Sequence, residues 1–210
     1  MVYRRDTGIL AVIGVFVACQ VATTATVKST AGRNDKFLYF AYGSNLLAKR
    51  IHMNNPTAVR TAKAKLADYR LDFGNWSRRW KGAVATVVPD QGKHVWGAVW
   101  RIDKSDMDNL DRQEGVPSAM YFPFEVKVEK SDGKKLLCRC YQLCDNPSEL
   151  EPGQPIPEDR LPSELYMSVI IQGARDTGLP HEYVEQLEKI PHNSYKGDNS
   201  TILSFLVSSS

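Results

Sequence analysis

Residues 122–143, FPFEVKVEKSDGKKLLCRCYQL, constrain the fold more than any other stretch of this chain. Phe124, Val126 and Val128 alternate with Glu125, Lys127 and Glu129. That is the period of an antiparallel strand with one face buried and the other in water. Ser131-Asp132-Gly133-Lys134 then supplies hairpin turn chemistry, and residues 135–143 resume as a second strand. Four more segments read as strands, at 36–41, 66–73, 83–88 and 95–102. In the last of these Trp96, Ala98, Trp100 and Ile102 share one face. Helical patterns are fewer. One covers 45–51. Another follows Ser105-Asp106-Met107-Asp108, which resembles a capping box, with Met107 and Leu110 on one side and Gly115 as its stop. A third, 162–177, carries Leu165, Val169 and Ile170 at helical spacing and stops at Gly178. Leu179-Pro180 opens a last helix running to about Lys189. Residues 147–162, rich in proline and acid, read as an exposed loop, and no internal repeat is present. The expected fold is α+β: a small mixed or antiparallel sheet curled towards a barrel, with a few flanking helices.

The first 34 residues stand apart. Arg4-Arg5 precede an apolar run from Gly8 to about Cys19, followed by small residues at 21–25. This is the layout of a secretory signal peptide, with a signal anchor as the alternative. The division expected is therefore 1–34 as targeting segment plus linker and 35–210 as one catalytic domain. The chain is secretory or membrane-anchored if the segment is used, and cytoplasmic otherwise. Sequons at Asn75 and Asn199 are compatible with secretion. A net charge of +3 is too small to argue for a nucleic-acid partner. Trp76-Ser77-Arg78-Arg79-Trp80-Lys81 has residues that stack bases and neutralise phosphates. It is short and isolated, and reads as a decorated loop. Cys138 and Cys140 lie two apart in a strand and so share a face, which suits packing rather than bridging. With Cys144 and four scattered histidines they match no common zinc spacing, so no structural metal is expected.

Chemistry enters at Tyr42-Gly43-Ser44-Asn45, between the first strand and the first helix. A glycine-containing junction there exposes successive backbone N–H groups that bind a carboxylate or a developing oxyanion. The same four residues also read as an ordinary turn with Ser44 or Asn45 as N-cap. Their company is more specific. FLYFAYGSNL, LDFGN, VWGAVW, LDRQEGV, MYFPFEVKV and CRCY occur in an order that resembles the gamma-glutamylcyclotransferase family, from about Phe37 to Tyr195. The resemblance implies release of 5-oxoproline from small-molecule gamma-glutamyl substrates, no cofactor, and a homodimer. It places the acid–base glutamate at Glu114. The substrate-binding loop falls on Tyr39, Phe40, Ala41, Tyr42, Gly43, Ser44 and Asn45, and the pocket tyrosines on Tyr121, Tyr141 and Tyr166. The apparent signal segment departs from the familiar cytosolic members.

Glu114 can be argued from the residues as well. Cyclisation needs the substrate's α-ammonium to lose a proton before attacking its own γ-carbonyl, and the leaving amine must then be protonated. One carboxyl group performs both steps if its pKa lies above the ordinary value of about 4.3. Glu114 ends a short helix, near the negative pole of its dipole, amid Val116, Met120 and Tyr121, and both surroundings disfavour its charge. A solvated glutamate in a turn is the alternative by position alone. No Gly-x-Ser-x-Gly elbow, Cys–His pair or phosphate-binding glycine loop competes. Two other outcomes stay open: cleavage of gamma-glutamyl amines or glutathione, and a non-catalytic gamma-glutamyl-binding module. For the N-terminus, Edman sequencing of protein from its own cells is expected to begin between about Gln20 and Lys28, following the usual signal-peptide layout. An intact Met1 on a cytosolic protein would overturn the targeting reading.

Overall fold

The structure, a computed structural model, describes residues 35–151 and 153–198, so the N-terminal segment and Asn199 lie outside the described residues. Five strands form a closed barrel in the order β1-β3-β2-β4-β5. They are β1 Lys36–Ala41, β2 Val59–Ser77, β3 Gly82–Asp103, β4 Tyr121–Lys130 and β5 Lys135–Leu143. Neighbours are antiparallel except β1 and β5, whose parallel pairing at Tyr39 and Arg139 closes the ring. The hairpin of β4 and β5 forms as its alternation predicts, with Phe124 opposite Cys140 and Val126 opposite Cys138. The α+β barrel expectation is borne out.

The strand count needs correction. Residues 83–88 and 95–102 belong to a single strand of 22 residues, and 66–73 is the middle of one of 19. Pro89-Asp90-Gln91-Gly92 has the composition of a turn, yet the chain runs through it. Register shifts at 60/62, 67/69 and 74/76 mark bulges in β2, where Asp68 and Asn75 adopt positive φ of 61° and 49°. A bulge absorbs turn-type residues without ending the strand. Here the Asp68 carboxylate even ties the two strands, accepting from the Gly92 amide at 3.0 Å. The Trp76–Lys81 cluster is the tip of this long hairpin, as a loop reading requires. Trp80, however, is buried and packs on the Tyr166 ring with centroids 4.8 Å apart.

The described residues hold four α-helices: α1 Ala48–His52 between β1 and β2, α2 Met107–Gln113 between β3 and β4, and α3 Glu164–Thr177 and α4 His181–Glu188 after β5. The helix expected at 45–51 is split. A 3₁₀ turn, Ser44–Leu46, comes first; Leu47 is extended at φ −79°, ψ 121°; then α1 begins. The capping box at 105–108 does not form: Ser105 lies inside a 3₁₀ turn, Lys104–Asp106, and Asp106, now at the N-cap position, makes no side-chain cap bond, its carboxylate accepting from the Thr57 hydroxyl at 2.6 Å. Gly115 and Gly178 stop their helices as expected, with φ of 71° and 67°, a region where glycine has no Cβ penalty. Ser163 caps α3 through its Oγ, which accepts from the Tyr166 amide at 3.1 Å. Residues 147–162 are less free than a loop reading implies. Arg160 pairs with Asp72 at 2.7 Å and donates to the Ser148 carbonyl at 3.0 Å.

α3 positions the segment after β1. A Cβ built on Gly173 would lie 2.4 Å from the Leu47 amide nitrogen and 2.6 Å from the Leu46 carbonyl carbon, so the two backbones are in direct contact. Arg60 fastens the same junction, donating to the carbonyls of Asp176 and Leu46, each at 2.9 Å. Cys138 and Cys140 are buried and unbridged, as their shared face predicts. Gly173→Ala is expected to push α3 off residues 46–47 and cost about 1–3 kcal/mol, the usual range for overpacking. A denaturant midpoint within error of wild type would show that the contact is loose.

Candidate active site

The C-terminal end of β1 opens into a small pocket lined by Tyr39, Tyr42, Gly43, Ser44, Asn45, Ala85, Glu114, Tyr121, Tyr141 and Tyr166. Eight positions spread over more than a hundred residues of sequence as expected site residues meet here around Glu114. Phe40 and Ala41 do not line the pocket. Strand alternation turns Phe40 to the other face, where its ring fills the space of the missing Gly97 side chain, 2.6 Å from where a Cβ would sit. Ala41 is wholly buried in the core. Ala85 was not foreseen, and an alanine inside an apolar strand carries no signal of such a role. Its backbone holds two tyrosines: its amide donates to Tyr166 Oη at 3.2 Å and its carbonyl accepts from Tyr121 Oη at 2.6 Å.

The phenol hydroxyls are engaged by the protein itself. Tyr42 donates to the Tyr141 carbonyl at 2.6 Å. Tyr141 donates to the Asp111 carboxylate and accepts from Arg139 Nε at 2.8 Å. Arg139 in turn holds both oxygens of Asp111, at 2.7 and 2.8 Å, a fork that fixes the carboxylate plane. Tyr39 lies edge-on to Tyr141 with centroids 5.7 Å apart. Burial pushes all five phenols above their ordinary pKa, Tyr166 to about 12, so each keeps its proton at neutral pH.

The loop owes less to glycine flexibility than its sequence implies. Gly43 has φ −106°, and what it supplies is room: a Cβ would stand 3.3 Å from Tyr166 Oη and 3.4 Å from the Ala85 methyl. No side chain caps the 3₁₀ turn, so the N-cap alternative for Ser44 and Asn45 is not what forms. Asn45, nearly buried, instead points its amide at Tyr39 Oη (3.2 Å) and at Glu114 Oε1 (2.8 Å).

Glu114 follows α2, its amide still bonded to the Leu110 carbonyl at 3.0 Å, and Gly115 turns the chain away after it. Its carboxyl pKa is raised to about 7. Desolvation is the leading cause, opposed by the Arg50 charge and by hydrogen bonds from Asn45 and Tyr39, and helped by the negative Asp111. The direction matches the sequence argument. Of the two causes argued there, burial is the one that dominates, and neither Arg50 nor Asp111 was among the expected residues. Arg50 is 5% exposed, and its Nε and Nη1 have no hydrogen-bond partner. Nothing about an arginine in a short amphipathic helix announces burial. Among the described residues no group of three or more His, Cys, Asp and Glu side chains is placed to hold a metal ion.

Known proteins resemble this chain in sequence and fold. The AIG2-like family model matches residues 94–187. Bovine gamma-glutamylcyclotransferase is 47% identical over 167 residues, covering 78% of this chain and 83% of the relative. The human enzyme of the same name is 44% identical over 172 residues, 80% of this chain and 86% of its own. The chain belongs to the gamma-glutamylcyclotransferase family. A solved structure named gamma-glutamyl cyclotransferase superposes with a TM-score of 0.70 at 42% identity, covering 79% of this chain and 95% of that one. The family resemblance carried by the motifs around residues 39–45 and 110–116 is therefore borne out, and both motifs of this gamma-glutamylcyclotransferase family member meet in the pocket.

A carboxyl raised from 4.5 to about 7 has a stability signature. The unfolded chain ionises at the lower value, so the folded state is favoured below about 4.5 and loses that advantage as pH rises through 7. Glu114→Gln has no such penalty. Its stability relative to wild type is expected to improve between pH 4.5 and 8 by on the order of 2–3 kcal/mol, from the size of the shift. Chemical denaturation of both proteins across that range checks it, and a pH-independent gap would refute the raised pKa.

Proposed function

We propose that this protein cyclises gamma-glutamyl amino acids to 5-oxoproline and the free amino acid, with Glu114 as base and then acid. The observation that carries this reading is the Glu114 carboxyl, held by Asn45 at 2.8 Å in a tyrosine-lined pocket and titrating near neutrality. A group with pKa near the working pH is present both as proton acceptor and, once loaded, as competent donor. In the first step the ionised carboxylate takes a proton from the substrate's α-ammonium. The freed amine attacks the γ-carbonyl carbon, forming the ring C–N bond and a tetrahedral oxyanion. Collapse breaks the bond to the leaving nitrogen as protonated Glu114 delivers its proton there, and the regenerated carboxylate then takes the ring nitrogen's second proton and passes it to the free product amine, which leaves as an ammonium. Both reacting groups belong to one molecule, so holding the folded-back rotamer supplies much of the advantage without a covalent intermediate.

Residues 42–45 suit the recognition of the glutamyl head. They bring backbone and small side chains to the pocket wall, and the absent side chain of Gly43 leaves the wall open opposite Tyr166 and Ala85. Ser44 is a wall residue in this scheme, not a nucleophile. Glu114→Gln is expected to lower 5-oxoproline release by at least the ~10²–10⁴-fold typical of a lost acid–base group. Calorimetric affinity for a non-cyclising gamma-glutamyl analogue should stay within about tenfold, or roughly 1.4 kcal/mol. Near wild-type turnover in the variant would remove Glu114 from the mechanism. A wild-type protein that binds the analogue yet releases no 5-oxoproline from any gamma-glutamyl dipeptide would favour the binding module.

A further inference from the structure

Behind Glu114 lies a chain of side-chain amides that the proton chemistry does not use directly. Asn54 and Asn55 Nδ2 donate to Gln113 Oε1 at 3.1 and 3.2 Å. Gln113 Nε2 donates to Asn45 Oδ1 at 2.8 Å, and Asn45 Nδ2 donates to Glu114 Oε1 at 2.8 Å. The direction of this chain is dictated from its far end. Asn55 is fully buried and its Nδ2 also meets the Ile51 carbonyl at 3.4 Å, an oxygen that only accepts. With that amide fixed as donor, Gln113 must turn its oxygen towards it and its nitrogen towards Asn45. Asn45 then has only N–H groups left for Glu114. Every dipole in the row points the same way, so each link strengthens the next.

We propose that Gln113 is a positioning residue: acting through Asn45, it fixes Oε1 of Glu114 as a permanent acceptor, so that the shuttled proton is carried on Oε2. This rests on the reading of Glu114 as the proton shuttle. A donated N–H on Oε1 stabilises the carboxylate over the acid, since its bond to a charged oxygen is stronger than its bond to the carbonyl oxygen of the acid. It thereby offsets part of the desolvation that disfavours the ionised base. The charged and titratable groups acting on Glu114 from its surroundings are Arg50 from α1, Asp111 from α2, Tyr39 from β1, Tyr42 from the loop, Tyr121 from β4, Cys140 from β5 and Tyr166 from α3. Of these Arg50 acts on Glu114 to lower its pKa and Asp111 to raise it, and neither hydrogen-bonds to Gln113. The amide chain is thus a support for the carboxylate separate from the Arg50 charge.

The test uses the full chain with two variants. Gln113→Met removes both amide functions without adding charge, freeing Asn45 to turn its oxygen towards Glu114. Gln113→Glu keeps the volume and the acceptor for Asn54 and Asn55, but forces Asn45 to reverse and so folds where the apolar variant does not. ¹³C NMR of carboxyl-labelled glutamate reads the Glu114 titration without turnover. Upward movement by about half a pH unit or more is expected in Gln113→Met, and by about one or more in Gln113→Glu, where like charge adds. The acid limb of the kcat–pH profile should move with it, while KM stays within about twofold, because Gln113 does not line the pocket. Unchanged titration in folded variants would overturn the proposal. A shifted NMR titration with an unmoved kinetic limb would uphold the amide chain and instead reject Glu114 as the catalytic group.

Discussion

The parallel pairing of β1 with β5 is the constraint from which the site follows. It closes the barrel through a single pair, Tyr39 beside Arg139, and it forces both strands to end at the same rim. The loop after β1 and the last residues of β5 therefore emerge together, which is why Tyr42 can donate to the Tyr141 carbonyl across 99 residues of sequence. β4 runs antiparallel to β5 and so begins at that rim, delivering Tyr121. β3 is antiparallel to β1, with Ala98 opposite Ala41 at the rim. Its earlier residues consequently overshoot the end of β1 as half of the long hairpin, carrying Ala85 to the pocket and Trp80 to Tyr166. A barrel closed with another register would have scattered these groups.

What the sequence conveyed divides along physical lines. Hairpin turns, αL glycine stops and alternating faces are local, and the β4–β5 hairpin, Gly115, Gly178 and the buried cysteine pair all behave as local rules require. The bulged strands were not legible as single elements, because Asp68, Asn75 and Gly92 look like strand ends when only neighbours are considered. The capping box failed because Ser105 is drawn into a 3₁₀ turn, which leaves Asp106 at the N-cap with its carboxylate bonded to the distant Thr57 hydroxyl. At the site, the motif residues were legible through their company, whereas Phe40 was assigned to the pocket only because it stands inside the motif. Arg50, Asp111, Gln113 and Ala85 act through distances that no spacing rule encodes.

Glu114 is set by competition rather than by any single neighbour. Desolvation alone favours the neutral acid, which would leave too little base at neutral pH. The buried Arg50 and the donors Asn45 and Tyr39 pull the other way, and the net position is near 7. Arg50 achieves this without a hydrogen bond to the carboxylate. Direct pairing would hold Glu114 ionised and make it a poor donor in the second half-reaction. A cation acting through space in a medium of low dielectric shifts the balance while leaving both carboxyl states accessible.

The tyrosines complete that argument by what they do not offer. A wall of phenols looks like a set of proton donors. Yet Tyr42, Tyr121 and Tyr141 have spent their protons on the Tyr141 carbonyl, the Ala85 carbonyl and Asp111, and Tyr166 accepts from the Ala85 amide. Each hydroxyl bond also locks a ring in one orientation, through the backbone for Tyr42, Tyr121 and Tyr166 and through the Asp111–Arg139 pair for Tyr141. Burial removes the phenols from titration near neutrality, and the thiols of Cys138 and Cys140 likewise, with Cys138 at about 12. Among the groups lining the pocket, Glu114 is thereby left as the one that exchanges a proton in the physiological range. Each proton that passes from the substrate's ammonium to its leaving amine is one that a single carboxyl group can accept and then return, and the aromatic wall protects that economy by keeping competing acids and bases out.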